Sequence, residues 1–311
     1  MLYDIIVLGA APAGLTASLY ASRAGYRVLV IEKNSPGGQM AGTNRIDNYP
    51  GVEPGVTGFD LTEIMRKQAE QFGVEIITDD IREVSLEGEE KKLIGLNDSY
   101  SAKAVIIATG SAPRKLGVPG EIDYTGKGVG YCATCDAPFF EGFDIYVVGG
   151  GNSAVEEAIY LTRFGRSVKI IHHRDALSAD KISQDEAISN PKIEILWNTK
   201  VLEFKGSGLL REMVLENTQT HEITTIKADP EQGTFGVFVF IGNNPQTEFL
   251  GDALSLERGY IPTDEDMRTK IPGVFAAGDV RVKTLRQIIT AAADGAIAAH
   301  SAGKYLDEIS F

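Results

Sequence analysis

Two cysteines with a neighbouring carboxylate are the residues of this chain best suited to chemistry. They lie in the sequence Cys132-Ala133-Thr134-Cys135-Asp136, and they are the only cysteines among 311 residues. A Cys-x-x-Cys pair can close a small disulfide and reopen it by thiol–disulfide exchange, so it can store two electrons. The spacing therefore predicts a redox centre at Cys132 and Cys135.

The alternative interpretation of such a pair is half of a zinc site. Structural zinc is held by four protein ligands in a tetrahedron. The chain has no second cysteine pair, and its four histidines show no ligand spacing to the first pair; they are His172, His173, His221 and His300. The sequence therefore favours redox chemistry and predicts no metal site.

Composition and charge exclude several classes of protein. A length of 311 residues with 43% hydrophobic residues suggests about two globular domains. A net charge of −13 argues against a nucleic-acid partner, because phosphates would be repelled. The N-terminal residues lack the basic segment of a signal peptide, and no stretch approaches the roughly 20 apolar residues of a membrane helix. We expect a cytoplasmic enzyme with no membrane partner, since a reducing compartment suits a cycling disulfide.

The N-terminal segment has the pattern of a dinucleotide-binding unit. An apolar strand at 5–8 runs into the turn Gly9-Ala10-Ala11-Pro12-Ala13-Gly14, a helix is predicted over 15–24, and a second strand at 28–31 ends at Glu32. The glycines let backbone N–H groups approach a pyrophosphate at the helix N-terminus, and the acid can bind a ribose. The chain departs from the pattern at Ala11, where glycine is expected.

The same unit recurs 140 positions later. A strand at 145–148 precedes the turn Gly149-Gly150-Gly151-Asn152-Ser153-Ala154, a helix is predicted over 154–164, and a strand follows at 168–171. Two copies predict two bound dinucleotides. Where the first copy has Glu32-Lys33-Asn34, the second has His172-His173-Arg174, and a basic cluster there suits the 2′-phosphate of NADP. The alternative for this cluster is a solvated strand end.

Two junctions predict one domain inserted into another. Apolar strands at 104–108 and 237–241 are each followed by a turn rich in Gly or Pro, and these turns bracket the second dinucleotide unit. The predicted domains are 1–112 plus 243–311, and 113–242. The fold class is α/β, with two Rossmann-like three-layer dinucleotide-binding domains, one inserted into the other.

A further candidate site lies near the end of the chain. The segment 271–280 predicts a short strand that runs into Gly278-Asp279, and an Ala-rich helix is predicted over 286–306. A carboxylate at the end of a buried strand can contact ligand hydroxyls at the edge of the sheet. The alternative is a β-turn whose aspartate caps the next helix.

Together these segments resemble the low-molecular-weight bacterial thioredoxin reductases, which are flavoprotein disulfide reductases, and the resemblance covers essentially the whole chain. It implies that the first domain binds FAD and that the inserted domain binds NADPH and carries the redox cysteines. The flavin-contacting positions include Gln39 in Gly37-Gly38-Gln39 and Asn48 in Asp47-Asn48-Tyr49-Pro50. The residues implied for FAD are Gly9, Ala11, Pro12, Ala13, Gly14, Glu32, Lys33, Gly38, Gln39, Asn48, Thr109, Gly110, Gly278, Asp279, Arg286, Gln287 and Ile288.

The resemblance also implies an NADPH site and a partner. The residues implied for NADPH are Gly149, Gly151, Asn152, Ser153, Ala154, His172, His173 and Arg174. The family's phosphate-binding motif reads His-Arg-Arg with a further Arg four residues on, whereas this chain has His172-His173-Arg174 and then Ser178. Arginine offers a permanent charge that a neutral histidine lacks.

The implied reaction passes two electrons from NADPH through FAD to the cysteine pair, and then to thioredoxin or a thioredoxin-like protein. The resemblance assigns Asp136 as the acid that exchanges protons with the dithiol, places Cys135 nearer the flavin, and implies a homodimer. Three alternatives stay open: ferredoxin as the electron donor, a dithiol oxidase that passes electrons to oxygen, and a flavoprotein redox sensor.

Overall fold

The computed structural model describes residues 1–43, 45–46 and 48–309, and the chain divides into two compact units. The first unit combines residues 1–112 with the residues from 244 onward, and the second contains residues 113–243. The chain therefore leaves the first unit once and returns to it once. Which cofactor each unit holds, as predicted for 1–112 plus 243–311 and for 113–242, stays a prediction.

The secondary-structure elements follow the chain in three stretches. The first stretch contains β1 (Leu2–Leu8), α1 (Pro12–Arg23), β2 (Val28–Glu32), α2 (Gly38–Ala41), α3 (Gly58–Glu70), β3 (Glu75–Thr78), β4 (Ile81–Ser85), β5 (Lys91–Gly95), β6 (Ser99–Ile107) and β7 (Ser111–Pro113). The second contains β8 (Val129–Gly130), α4 (Ala133–Asp136), β9 (Asp144–Val148), α5 (Asn152–Leu161), β10 (Ser167–Ile171), α6 (Lys181–Ser189), β11 (Ile193–Leu196), β12 (Thr199–Ser207), β13 (Leu209–Asn217), β14 (Ile223–Lys227) and β15 (Gly236–Val239). The last contains β16 (Asn243–Pro245), β17 (Val274–Ala276) and α7 (Ile288–Ile309).

The sheet of the first unit is parallel at its centre. The parallel strands have the order β3-β2-β1-β6, and β17 pairs in parallel with the C-terminal end of β6. At the N-terminal end of β6 the sheet continues with two antiparallel strands, first β5 and then β4. Strand β1 is almost wholly buried from Ile5 to Leu8. A strand buried on both faces needs a continuous apolar run, which is what this segment provides.

Helices cover one face of this sheet. Side chains of α1, α3 and α7 form one core with the inner residues of β1 and β2, and a second core on the opposite face includes Leu86, Leu250 and Leu254. Helices α1 and α7 approach closely, since a Cβ at Gly295 would lie 2.2 Å from the carbonyl oxygen of Ala13. Only glycine allows the two backbones to come this near.

The inserted unit has its own parallel sheet, ordered β11-β10-β9-β15-β8. Helices α5 and α6 pack on one face of it, and a separate antiparallel sheet, β12-β13-β14, contributes Phe204 and Met213 to the core on the other face. Both units are thus layered α/β structures built on a parallel sheet. The predicted fold class, two Rossmann-like three-layer domains with one inserted into the other, is confirmed.

The predicted helices exist, with shifted bounds. The first begins at Pro12 instead of residue 15, because Ala11 has the extended backbone of an N-cap and proline fits the first helical position. The second covers Asn152–Leu161 and the last covers Ile288–Ile309. Among the described residues, no helix is both long and apolar enough to cross a membrane.

Candidate functional site

The two cysteines form a disulfide at the start of the short helix α4. Their Cα atoms lie 5.3 Å apart, and the Sγ of Cys132 accepts a hydrogen bond of 3.2 Å from the backbone N–H of Cys135. Both cysteines are half-buried, whereas the alanines Ala133 and Ala137 are fully buried in the core of the inserted unit. The alanines therefore anchor the motif, and the two cysteines stay partly accessible, as a thiol–disulfide exchange centre requires.

Asp136 follows the disulfide with its carboxyl group largely buried. Burial raises its pKa from 3.8 to about 6, because the ionised form loses hydration. The carboxyl lies against the backbone of Gly130, where a Cβ would come within 2.8 Å of its Oδ2 atom. A carboxyl with this pKa can hold or release a proton near neutral pH, which is what general acid–base chemistry at a dithiol needs.

The first glycine-rich turn has the tight geometry of a phosphate-binding loop. Gly9 has a positive φ of 102°, and a Cβ at Gly14 would lie 1.8 Å from the carbonyl oxygen of Gly9. The carboxylate of Glu32 accepts hydrogen bonds from the N–H of Ala10 at 2.7 Å and of Asn34 at 3.0 Å. Glu32 thus fixes the turn, and each of its oxygens keeps a further lone pair for a ribose hydroxyl.

The Gly278-Asp279 turn contains a buried polar atom that lacks a partner. Among the described residues, Asp279 Oδ1 is buried with no hydrogen-bond partner, and so is Nε of Arg286, whose guanidinium lies 4.5 Å from the ring centroid of Tyr260. Burial raises the pKa of Asp279, against the lowering effect of Lys283 and Arg286. Buried polar atoms are rarely left unpaired in native proteins. These two atoms therefore fit a ligand that carries hydroxyl groups and acceptors, as FAD does.

The other residues predicted for FAD differ in what they contact in the structure. Asn48 and Gln287 are brought together, with Nδ2 of Asn48 donating to Oε1 of Gln287 at 3.1 Å. Three others contact the protein itself: Gln39 donates to the carbonyl of Ser111, Lys33 pairs with Asp80, and Thr109 donates to the carbonyl of Gln246. Gly38 and Gly110 have positive φ, and Ile288 begins α7. The motif residue Asp47 lies outside the described residues.

The second glycine-rich turn repeats the geometry of the first. A Cβ at Gly149 would lie 2.3 Å from the carbonyl oxygen of Phe240 and 2.7 Å from the Cβ of Ala154. Gly151 is the N-cap of α5, and Asn152 exchanges two hydrogen bonds with Asp180, at 2.6 and 2.8 Å. Ser153 is exposed in the first turn of α5. The turn can therefore present backbone N–H groups to a second pyrophosphate.

The three residues of the predicted phosphate cluster differ in their exposure, although the rings of His172 and His173 are in contact, with centroids 5.0 Å apart. His172 is only 4% exposed, its Nε2 lies 2.9 Å from the carbonyl oxygen of Ala176, and burial lowers its pKa. Its ring fills the space beside Gly150, where a Cβ would lie 2.2 Å from Nδ1. His173 and Arg174 are exposed. His172 is therefore a neutral ring beneath the turn, whereas the other two remain at the surface.

One buried acid of the first unit was missed in the sequence analysis. Asp294 lies on α7 and accepts a hydrogen bond from the N–H of Gly278, beside the predicted ligand residue Asp279. It also pairs with Arg281 and Lys283. The signal in the sequence was an acid inside the run Ala291-Ala292-Ala293-Asp294-Gly295, where the helix face is otherwise apolar. Among the described residues, no group of His, Cys, Asp and Glu could hold a metal ion.

Comparisons with known proteins agree on one family. Residues 3–295 match the family described as pyridine nucleotide-disulphide oxidoreductase. The thioredoxin reductase of Peptoclostridium litorale is 50% identical over 308 residues, covering 99% of this chain and 98% of that protein. The thioredoxin reductase of Bacillus subtilis is 46% identical over 311 residues, covering 99% and 96%.

A solved structure extends this likeness to three dimensions. The crystal structure of thioredoxin reductase from Streptococcus pyogenes superposes with a TM-score of 0.92 at 46% identity, and the match covers 99% of both chains. Sequence and structure agree over nearly the full length, and the cysteine pair is at disulfide distance. This chain therefore belongs to the pyridine nucleotide-disulphide oxidoreductases and, within them, to the low-molecular-weight bacterial thioredoxin reductases.

Proposed function

We propose that this chain is a thioredoxin-disulfide reductase that uses NADPH, FAD and the Cys132–Cys135 pair to reduce a thioredoxin-like protein. The observation that carries the proposal is the half-buried Cys132–Cys135 disulfide followed directly in the chain by Asp136, whose pKa is raised by burial to about 6. The close likeness to thioredoxin reductases over nearly the whole chain supports it.

We assign FAD to the first unit. FAD, when bound, supplies the two-electron chemistry that links a nicotinamide donor to a disulfide. The turn from Gly9 to Gly14 would hold the pyrophosphate, and Glu32 would accept a bond from the adenosine ribose. Asp279 Oδ1 and Arg286 Nε, which have no hydrogen-bond partner within the described part of the chain, would bind the hydroxyl groups and the ring side of the cofactor. The pairing of Asn48 with Gln287 supports their placement beside that site.

We assign the nicotinamide nucleotide to the inserted unit. The turn from Gly149 to Ala154 would hold its pyrophosphate at the N-terminus of α5. His173 and Arg174 are exposed and would contact the 2′-phosphate, with Arg174 providing the permanent charge. The buried ring of His172 would act indirectly, by supporting Gly150 from below.

The cysteines and Asp136 carry the exchange with the protein substrate. Reducing the Cys132–Cys135 disulfide takes two electrons and two protons and gives two thiols. One thiol loses its proton to the solvent and attacks, as the thiolate, a sulfur of the partner's disulfide, which forms a mixed disulfide and releases one partner thiolate. The second thiol, losing its proton to Asp136, attacks the mixed disulfide, restores the Cys132–Cys135 bond and releases the second partner thiolate.

The remaining parts of the proposal concern setting and assembly. A thioredoxin-like protein is the partner, and a homodimer is the expected assembly of this family. We place the reaction in the cytoplasm, where disulfides are kept reduced and a reductase has substrates. A ferredoxin donor, oxygen as the acceptor and a sensor without turnover remain as outcomes of the test.

The test is steady-state reduction of thioredoxin by the flavin-containing protein with NADPH, NADH or reduced ferredoxin under anaerobic conditions. We expect rapid turnover with NADPH. The Cys135→Ser variant should keep its flavin and should still be bleached by NADPH, but it should lose thioredoxin reduction, because no disulfide can form.

The matched control is Thr134→Ser, since Thr134 is exposed between the two cysteines and takes no part in the chemistry. It should turn over at the parent rate. Thioredoxin reduction by Cys135→Ser at the parent rate would refute the redox role of the pair. Reduction by ferredoxin but by neither nicotinamide would overturn the choice of donor, and flavin reduction without any thioredoxin turnover would favour a sensor.

A further inference from the structure

Two hydrogen-bond donors and a guanidinium surround one carboxylate oxygen in the first unit. Oδ2 of Asp294 accepts hydrogen bonds from the backbone N–H of Gly278 at 3.0 Å and from Nζ of Lys283 at 2.8 Å, and it forms an ion pair with Nη1 of Arg281 at 3.0 Å. The three side chains are only 10–12% exposed. Burying a carboxylate is costly unless it is paired and hydrogen-bonded, and here both conditions hold. The Asp294 carboxylate and its three partners therefore form a buried and fully paired charge cluster within the first unit.

The position of Asp294 is fixed by the close approach of two helices. Its neighbour Gly295 lies where α7 crosses α1, with room for no Cβ against the carbonyl of Ala13. Gly278 packs against the same residue, because a Cβ there would lie 2.9 Å from the Cβ of Ala13. Ala13 belongs to the first glycine-rich turn and helix start. One contact point therefore holds that turn, α7 and the Gly278-Asp279 turn together.

The bond from Gly278 matters because of the residue that follows it. Asp279 has the buried Oδ1 atom without a partner among the described residues, and it faces the charges of Lys283 and Arg286. The single negative charge of Asp294 balances one of the two positive charges carried by Arg281 and Lys283. The charge that Asp279 faces therefore depends on Asp294, and so does the backbone conformation that aims its carboxyl group.

We propose that Asp294, through Gly278 and Lys283, is a positioning residue that aims Asp279 at the bound flavin cofactor and sets the positive charge around that cofactor. The proposal rests on the proposed function in taking FAD as the ligand of Asp279. Loss of the Asp294 charge leaves two buried cations without their anion. Added positive charge favours the electron-rich reduced form of a bound flavin, so the midpoint potential should rise.

The test compares Asp294→Asn with a control on the same helix. The control is Glu308→Gln, which is exposed near the end of α7 and is expected to behave as the parent. For Asp294→Asn we expect FAD to bind apoprotein at least tenfold more weakly. In the fraction that holds flavin, we expect the two-electron reduction constant to rise about tenfold, which is a shift of about +30 mV.

Charge rescue distinguishes positioning from a purely structural role. The double variant Asp294→Asn, Lys283→Gln has the parent's net charge at this cluster, so its potential should return towards that of the parent. The single variant Lys283→Gln should move the potential in the opposite direction, downward. That variant also keeps the proposal testable if Asp294→Asn does not fold.

Two results would refute the proposal. One is parent FAD affinity and parent potential in Asp294→Asn. The other is a combined result, in which the Asp294→Asn apoprotein loses thermal stability but the flavin potential is unchanged in Asp294→Asn, in Lys283→Gln and in the double variant. That result would show a purely structural role for Asp294. If the parent protein binds no FAD, the proposed function fails first, and the two failures are therefore distinguishable.

Discussion

Replacing Asp136 by asparagine should stabilise the inserted unit while it impairs catalysis. The folded protein holds the Asp136 carboxyl at a pKa of about 6, whereas an exposed aspartate in the unfolded chain has 3.8. At about 1.4 kcal/mol for each pH unit, ionising this group in the folded state costs about 3 kcal/mol at pH 8. Asparagine is nearly the same size and carries no charge, so it avoids this cost.

The sign of the effect follows from proton binding. Between pH 3.8 and about 6 the folded protein binds the proton and the unfolded chain has lost it, so the parent loses stability as the pH rises through this window. The advantage of Asp136→Asn in the free energy of unfolding should therefore be about 3 kcal/mol at pH 8, roughly half of that at pH 5 and less than a quarter of it at pH 4. Any constant cost of burying the amide cancels when two pH values are compared.

The assay is urea unfolding of the full-length oxidised protein, followed by the fluorescence of Trp197. This is the only tryptophan in the chain and it packs in a core of the inserted unit, so it reports on that unit. The control is Asp123→Asn, since Asp123 is an exposed acid of the same unit. An advantage of equal size at pH 4 and pH 8 would refute the idea that burial raises this pKa. Thioredoxin reduction at the parent rate would refute the catalytic role.

Two further predictions concern the two proposed nucleotide sites. Gly14→Ala should be purified with little flavin, because its Cβ would lie 1.8 Å from the carbonyl oxygen of Gly9. The control Gly42→Ala, whose Cβ would lie 3.8 Å from the nearest atom, should keep the parent ratio of flavin to protein absorbance. Equal flavin content in the two variants would contradict the role of the turn. Arg174→Gln should raise the KM for NADPH about tenfold or more, the value of one charge-assisted contact, and leave the KM for NADH unchanged. Equal losses with both nucleotides would show that Arg174 does not contact the 2′-phosphate.

The parts of the structure that could be predicted are those set by local pattern. The apolar run ending at Leu8, the turn after it and the acid at Glu32 identify a strand, a helix start and a carboxylate that binds the turn, because each depends on neighbours within the same segment. The fold class follows, since a strand–turn–helix–strand unit that occurs twice needs two parallel sheets. The cysteine pair could be found because no other residues in the chain could form a disulfide.

What could not be predicted depends on contacts between distant segments. The basic sequence at 172–174 does not reveal that the ring of His172 turns inward, because the room for it is provided by Gly150, 22 positions earlier. Similarly, the partners of Asp294 come from a turn before α7 that has no helical or strand period. Hydrophobic periodicity shows which face of a helix is buried, but it does not show which donors from elsewhere meet an acid on that face.

The order in which the chain is synthesised gives the close packing of α7 on α1 a further consequence. The first unit begins at the N-terminus, yet β17 and α7 emerge from the ribosome last, after the whole inserted unit. Until then the end of β6 lacks its partner β17, and α1 lacks the helix that covers it. The inserted unit, whose strands all come from one continuous stretch, can fold while the first unit waits. The nascent chain can therefore fold around its redox cysteines before the flavin site proposed for the first unit is complete.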